Sequence, residues 1–231
     1  MGLRQNMSRL CLFLGDYMPS ITAIRKTRGT NQRCKISLDN KDFFSLSHSV
    51  CEREGLKIGQ ELSLSQIETL KLIDNCQSCY EAAMGYLSYR PRSQSELAQK
   101  LVRRGFSSHD IDSILAKLKE QGLVNDQAFA QFWNDNRQSF RPRSRSLTSL
   151  ELKRKGVSSE IIENVVSTVD ELDSAYRAAI TKVKTLPKDN YHLFRQRLSQ
   201  YLLRRGFGYE VINRTVSRLW DEYGNGSTDE F

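Results

Sequence analysis

The sequence predicts a mainly α fold: a tandem array of three three-helix, helix-turn-helix-like repeats, elongated and curved, preceded by a small β-rich N-terminal module. The leading observation is a short pattern of Leu, any residue, two basic residues, Gly and an apolar residue. It occurs at residues 101–106, 152–157 and 202–207, and its glycines lie 51 and 50 residues apart. Self-similarity at a fixed period of this size marks a tandem architecture. The match continues past the glycines: Ile111, Ile162 and Ile212 each follow by six residues, and Leu118, Val169 and Leu219 by thirteen. A second observation is a change of apolar period, from alternation before residue 62 to helical spacing from Ser65 onward.

In chain order, residues 1–19 are either a poorly ordered extension or a segment ahead of a start at Met18. Their longest apolar run, residues 10–14, is too short for a signal-peptide core of about 7–15 residues. No run approaches the roughly 18 residues that cross a bilayer. A cytoplasmic protein without a membrane partner is therefore expected. Residues 20–75 read as the β-rich module. Cys34, Ile36 and Leu38 alternate with Lys35, Ser37 and Asp39, the pattern of a half-buried strand. Residues 21–26 supply a partner strand, with Gly29-Thr30-Asn31 as the turn between them and Asp39-Asn40 as a second turn before Phe43-Phe44. A short helix is expected over residues 46–53, ended by Gly55.

Repeat one spans residues 76–124, repeat two 125–170 and repeat three 171–223, with a frayed acidic tail over 224–231. In the first, a helix beginning near Cys76 ends before Pro91. Ser93 and Glu96 form a capping-box pair opening a second helix, and Gly105 suits its left-handed C-terminal cap. Ser108 then caps a third helix with the apolar stripe Ile111, Ile114, Leu115 and Leu118. The second repeat begins near Asp126, breaks at Pro142, restarts after Ser144, is capped by Gly156 and resumes at Ser158 or Ser159. The third begins around Glu171, breaks at Pro187, resumes near Asn190 and is capped by Gly206. Phe129, Phe132 and Trp133 recur at helical spacing, as do Phe194, Leu198, Tyr201 and Leu202, and are expected in the core.

The 231 residues carry 35 Lys and Arg against 27 Asp and Glu, a net charge of +8. Between Arg90 and Gly156 fourteen basic residues face seven acidic ones, so nearly the whole excess falls in that segment. A polyanionic or acidic partner follows from such a balance. Arg141, Arg143 and Arg145 place three guanidiniums in five residues at a helix corner, and arginine suits bidentate contact with phosphate or carboxylate. Basic pairs near helix ends also complement the helix dipole, so Arg103-Arg104, Arg154-Lys155 and Arg204-Arg205 have a structural role open to them as well.

Five cysteines, with Cys76-Gln77-Ser78-Cys79 as the one CxxC, lack the second pair of a zinc finger. No metal, cofactor or catalytic residue is expected. The three histidines are isolated in sequence, and no phosphate-binding loop, GxGxxG, GxSxG or HExxH motif occurs. A helix-turn-helix transcription regulator is the main alternative, since three-helix units with a glycine-containing turn share its logic. Three unequal copies, however, suit a two-fold operator poorly.

Residues 83–93, Ala-Met-Gly-Tyr-Leu-Ser-Tyr-Arg-Pro-Arg-Ser, followed by Ser95-Glu96-Leu97, Arg104-Gly105-Phe106 and Gly122-Leu123-Val124-Asn125-Asp126, resemble the RecX regulatory proteins. The basic-Gly-apolar segments at 152–157 and 202–207 fit the same family pattern, and the likeness covers roughly residues 78–222. It departs at Phe140-Arg141-Pro142-Arg143, where the family often carries a smaller turn, and the 20–75 module is a variable part of the family. The resemblance implies a monomeric modulator of the RecA recombinase. Such a protein lies in the groove of the RecA–DNA filament, inhibits ATPase and strand exchange, and binds single- or double-stranded DNA weakly and without sequence preference. On the matching positions it implies filament or DNA contact at Arg90, Arg92, Arg103, Arg104, Lys153, Arg154, Lys155, Arg204 and Arg205. Arg141, Arg143 and Arg145 join them on local charge alone.

Overall fold

The computed structural model describes residues 18–27 and 33–224. The expected turn at Gly29-Thr30-Asn31, the segment 1–17 and the tail 225–231 lie outside the described residues. The chain divides into two compact units. One holds the described residues up to Gly85 together with Arg104–Ile114, and the other holds Tyr86–Arg103 and the described residues from Leu115 onward.

In the first unit β1 (Ile21–Lys26), β2 (Arg33–Leu38) and β3 (Lys41–Ser47) form one antiparallel sheet in that order. Cys34, Ile36 and Leu38 of β2 are buried with Ile21 and Leu46, as the alternation demands. Ser37 is buried too; the β2–β3 register shifts between Ile36 and Ser37, and a bulge there breaks strict alternation. Asp39 and Asn40 both have positive φ, 48° and 63°, between the paired residues Leu38 and Lys41. Two left-handed residues in a two-residue loop make the tight turn that matches strand twist, and Asp and Asn tolerate it. β3 runs on to Ser47, so the helix expected from residue 46 starts later, as α1 (His48–Arg53). Leu46 is still paired with Cys34 and Ser47 with Arg33.

α2 (Leu64–Leu87) is a single helix of 24 residues. The start expected near Cys76 is interior to it. Its real start is a reciprocal capping box: Ser63 Oγ accepts the Gln66 N–H at 3.2 Å, and Gln66 Oε1 accepts the Ser63 N–H at 2.8 Å. No Gly or Pro then interrupts residues 64–84. Ile67 and Leu70 join the apolar core under the sheet. Asp74 is only 4% exposed, and its charge is met by the Ser47 N–H at 2.5 Å and the Arg33 guanidinium at 2.7 Å. A buried carboxylate needs such partners, and this one ties both outer ends of the β2–β3 pair to α2.

The repeats contribute α3 (Gln94–Arg103), α4 (Ser108–Glu120), α5 (Asp126–Phe140), α6 (Arg145–Arg154), α7 (Ser159–Val166), α8 (Glu171–Val183), α9 (Tyr191–Leu203) and α10 (Tyr209–Tyr223). Ten helices and one three-stranded sheet thus make up the described residues, a mainly α fold. Side-chain caps fall where the sequence places them at Asn125, Ser144, Ser158, Asp170 and Asn190. For α4 the cap is Ser107, one residue before the expected Ser108, and its hydroxyl both accepts from the Asp110 N–H and donates to the Asp110 carboxylate. The recurring apolar positions are the interior of the second and third repeats. Leu152, Val157 and Ile162 pack with Phe129 in the second repeat, while Leu202, Phe207 and Ile212 pack with Phe194 in the third. Phe132, expected in the core with Phe129, is 40% exposed.

One joint recurs between neighbouring repeats. The N-terminal end of α3 meets the C-terminal end of α6, and the N-terminal end of α6 meets the C-terminal end of α9. In the first joint Ser93 Oγ donates to the Lys155 carbonyl at 2.5 Å, and the Gln94 N–H donates to Asp126 Oδ1 at 2.8 Å. In the second the Ser144 N–H donates to the Arg205 carbonyl at 3.1 Å, and the Arg145 N–H donates to Glu171 Oε1 at 2.8 Å. The approach is close enough to require glycine after each acceptor. A Cβ on Gly156 would stand 2.3 Å from the Ser95 Cβ, and one on Gly206 would stand 2.5 Å from the Ser144 Oγ. Both glycines also have left-handed φ, +76° and +85°.

Gly105 has the same backbone, φ +93°, but a Cβ there would meet nothing within 4 Å. Gly105→Ala should therefore cost only the left-handed penalty of about 1–2 kcal/mol. Gly156→Ala should cost about 1–3 kcal/mol more, because the overlap falls on the Ser95 Cβ, which is fixed to the backbone of α3 and has no rotamer to escape into. Denaturant unfolding of the two variants checks this; equal losses would mean that the joint does not press on the glycine.

Candidate functional site

The basic residues singled out from the sequence separate into two sets, according to whether the chain itself supplies them with a partner. Arg90 holds Glu96 through both guanidinium nitrogens at 3.1 and 3.2 Å, and Lys155 reaches the same carboxylate at 2.7 Å from the next repeat. Glu96 therefore does not fold back onto the Ser93 N–H as a full capping box would. Ser93 Oγ accepts the Glu96 N–H at 3.1 Å, and the carboxylate serves the joint. Lys155 also lies 4.0 Å from the centre of the Trp133 ring, a cation–π contact. Arg92 donates from Nε to the Tyr86 carbonyl at 2.9 Å and lies over the Tyr86 ring. Burial, and then the charge of Arg90, lowers its pKa.

A second carboxylate gathers a further cluster inside repeat two. Glu151 accepts from Trp133 Nε1 and Arg137 Nε, each at 2.8 Å, and is ion-paired with Arg143. Arg145 donates from Nε to the Val169 carbonyl at 2.7 Å, with a second bond from its terminal nitrogen. Of the corner guanidiniums, Arg143 and Arg145 are thus engaged within repeat two, while Arg141 is exposed and makes no side-chain bond among the described residues.

Arg103, Arg104, Lys153, Arg154 and Arg204 are likewise exposed, with no ion pair among the described residues. Position within the repeat explains the division. The residue two before the glycine, Arg103, Arg154 or Arg204, faces solvent in all three copies. The residue immediately before it carries the carbonyl that the neighbouring repeat engages. Lys155 and Arg205 are accordingly half-buried, whereas Arg104, with no repeat docked on its carbonyl, is exposed.

No spacing in the sequence marks Arg137, Glu151 and Trp133 as a cluster, but a signal for the joint does stand in it. Arg90-Pro91-Arg92-Ser93 recurs as Arg141-Pro142-Arg143-Ser144, displaced by the same 51 residues as the glycines. Among the described residues no group of three or more His, Cys, Asp and Glu is arranged to hold a metal ion. Among them, too, no helix is long and apolar enough to cross a membrane.

Burial pushes the Glu96 carboxyl up, but the hydrogen bonds and charges of Arg90 and Lys155 outweigh it, so its pKa lies below the ordinary 4.5. A lowered carboxylate stabilises the fold above the unfolded value, and that stabilisation is lost as pH falls through the folded value. Glu96→Gln should cost about 1–3 kcal/mol at neutral pH. The gap from the parent chain should close as pH drops below 4.5. Thermal unfolding across pH measures this, and a gap that ignores pH would assign the loss to packing alone.

Models of the first, second and third three-helix domains of RecX match residues 79–118, 125–166 and 169–216. The chain is 30% identical over 208 residues to Regulatory protein RecX of Bacillus pumilus, covering 88% of this chain and 79% of that one. It is 32% identical over 206 residues to Regulatory protein RecX of Lactobacillus johnsonii, covering 87% and 75%. A crystal structure of regulatory protein RecX superimposes with a TM-score of 0.61 at 23% identity, over 86% of this chain and 99% of that one, a likeness of fold. RecX from Lactobacillus salivarius superimposes with a TM-score of 0.56 at 25% identity, over 64% and 97%. The three domain matches in order, on the three repeats whose joints and caps are described above, establish that the chain belongs to the RecX family of regulatory proteins.

Proposed function

We propose that the chain modulates the RecA recombinase. It lies in the groove of the recombinase–DNA filament, restrains ATP hydrolysis and strand exchange, and touches DNA weakly and without sequence preference. The observation that carries this reading, beside family membership, is the exposed cation at one equivalent position of every repeat, Arg103, Arg154 and Arg204. A repeat array offers the same chemistry at each step, and a nucleoprotein filament is a repeating polyanionic partner. Arg104, Arg141 and Lys153 extend the exposed set. Arg90 and Lys155 act on the filament at second hand by holding Glu96 at the first joint, and Arg92, Arg143 and Arg145 by fixing the repeats from which the exposed side chains project.

Adding the chain to its own organism's recombinase should slow DNA-dependent ATP hydrolysis and strand exchange; no effect of either sign would overturn the reading. Reversing Arg103, Arg154 and Arg204 together to Glu should relieve the inhibition by about tenfold or more. Far-ultraviolet circular dichroism should stay unchanged, since exposed substitutions usually alter stability by no more than about 0.5 kcal/mol. If duplex DNA is bound through about five phosphates, log K should fall against log salt with a slope near −4.5. A flat salt dependence with preference for one duplex sequence would favour a transcription regulator instead.

A further inference from the structure

We infer that a cleft formed by repeats two and three is a seat for one backbone phosphate of single-stranded nucleic acid, with the adjoining base stacked on Phe140. The cleft measures about 330 Å³ and is lined by Arg141, Arg177, Arg205, Thr181, Tyr201 and Phe140 among others, with no carboxylate in its lining. Three guanidiniums in one concavity without an acidic wall is an arrangement that an anion completes.

Their states differ in a way that points to a ligand. Arg177 is already aimed, by Asp173 at 2.7 Å and the Gln138 carbonyl at 2.9 Å. The Arg205 guanidinium lies 4.2 Å from the centre of the Tyr201 ring, and its Nε is buried without a hydrogen-bond partner among the described residues. The Arg205 side chain nevertheless lines the cleft and has no ion pair among the described residues, so its charge is left for an anion there to meet. Arg141 supplies a free guanidinium at the rim. The crowding is felt next door: burial, and then the charges of Arg137, Arg205 and Arg141, lower the pKa of Arg143.

Phosphate rather than carboxylate, and a single strand rather than a duplex, follow from the neighbouring residue. Phe140 ends α5 beside Arg141 and is 79% exposed, an apolar ring that the fold leaves uncovered. A ring beside a cation-lined cleft matches a nucleotide, whose base and phosphate are covalently adjacent, and only an unpaired base offers its face.

This inference rests on the DNA binding proposed above, and the test separates the two. Fluorescence anisotropy would follow the full chain binding a labelled oligothymidylate about 12 nucleotides long, an abasic strand of equal length and a duplex. Phe140→Ala should weaken the oligothymidylate about tenfold and leave the abasic strand unchanged. Arg141→Ala should weaken both strands and reduce the salt slope by about 0.7. Both residues are exposed, so thermal unfolding should confirm that the variants fold as the parent does. Variants that bind all three probes like the parent would overturn the site while leaving DNA binding in place. A parent chain that binds no strand but still inhibits the recombinase would overturn the site and leave the recombinase reading standing. Displacement of the strand by poly-glutamate with equal potency on the parent and on Phe140→Ala would assign the cleft to acidic protein segments instead.

Discussion

The helical part of the molecule depends on two helix ends that complete each other. The first turn of a helix leaves N–H groups without partners and the last turn leaves carbonyls, and both are expensive to bury unpaired. At each joint between repeats these orphans meet. Ser93 and Gln94 at the start of α3 are matched with the end of α6 and the start of α5, and Ser144 and Arg145 at the start of α6 with the end of α9 and the start of α8. The glycine that follows each acceptor carbonyl does two jobs, turning the backbone left-handed and leaving room for the incoming helix. The Gly-centred pattern is therefore a record of contact between repeats as much as of helix termination.

The same joint decides what the positive charge is for. Two carboxylates, Glu96 and Glu151, sit partly buried at or beside the joints, and each is neutralised by more than one cation. Partial burial makes such pairs worth more than surface ion pairs, and it also withdraws their cations from any outside partner. What remains at the surface is set by geometry. The residue beside the cap glycine is drawn in where a neighbour docks, and the residue before it points out in every copy. A basic stretch that looks uniform in sequence is thus divided between holding the array and facing a partner.

The repeat pattern, most helix starts and the strand order were legible because each rests on local chemistry: alternation at Cys34, Ile36 and Leu38, serine and asparagine caps, and the cap glycines. Two boundaries differ from the pattern along the chain, one for a local reason and one for a non-local one. α2 begins at the capping box of Ser63 and Gln66 and not near Cys76, and the helical spacing of Ile67, Leu70 and Ile73 already belongs to it. Leu46 and Ser47 belong to β3 and not to the following helix because strand pairing with Cys34 and Arg33, a non-local contact, holds them there. The division of the cations was hidden for the same reason. Arg154 and Lys155 look alike along the chain, and only the approach of Lys155 to Glu96, 59 residues away, shows that one of them is engaged.

Native-state amide hydrogen exchange tests the joint most directly. The N–H groups of Gln94, Ser144 and Arg145 end on acceptors in the adjoining repeat, so they can exchange only when the repeats part. They should exchange as slowly as the core amides of α6 and α9; Gln94 should quicken in Gly156→Ala, and Ser144 and Arg145 together in Gly206→Ala. Exchange at loop-like rates in the parent chain would contradict the account, because the repeats would then be strung together without being joined.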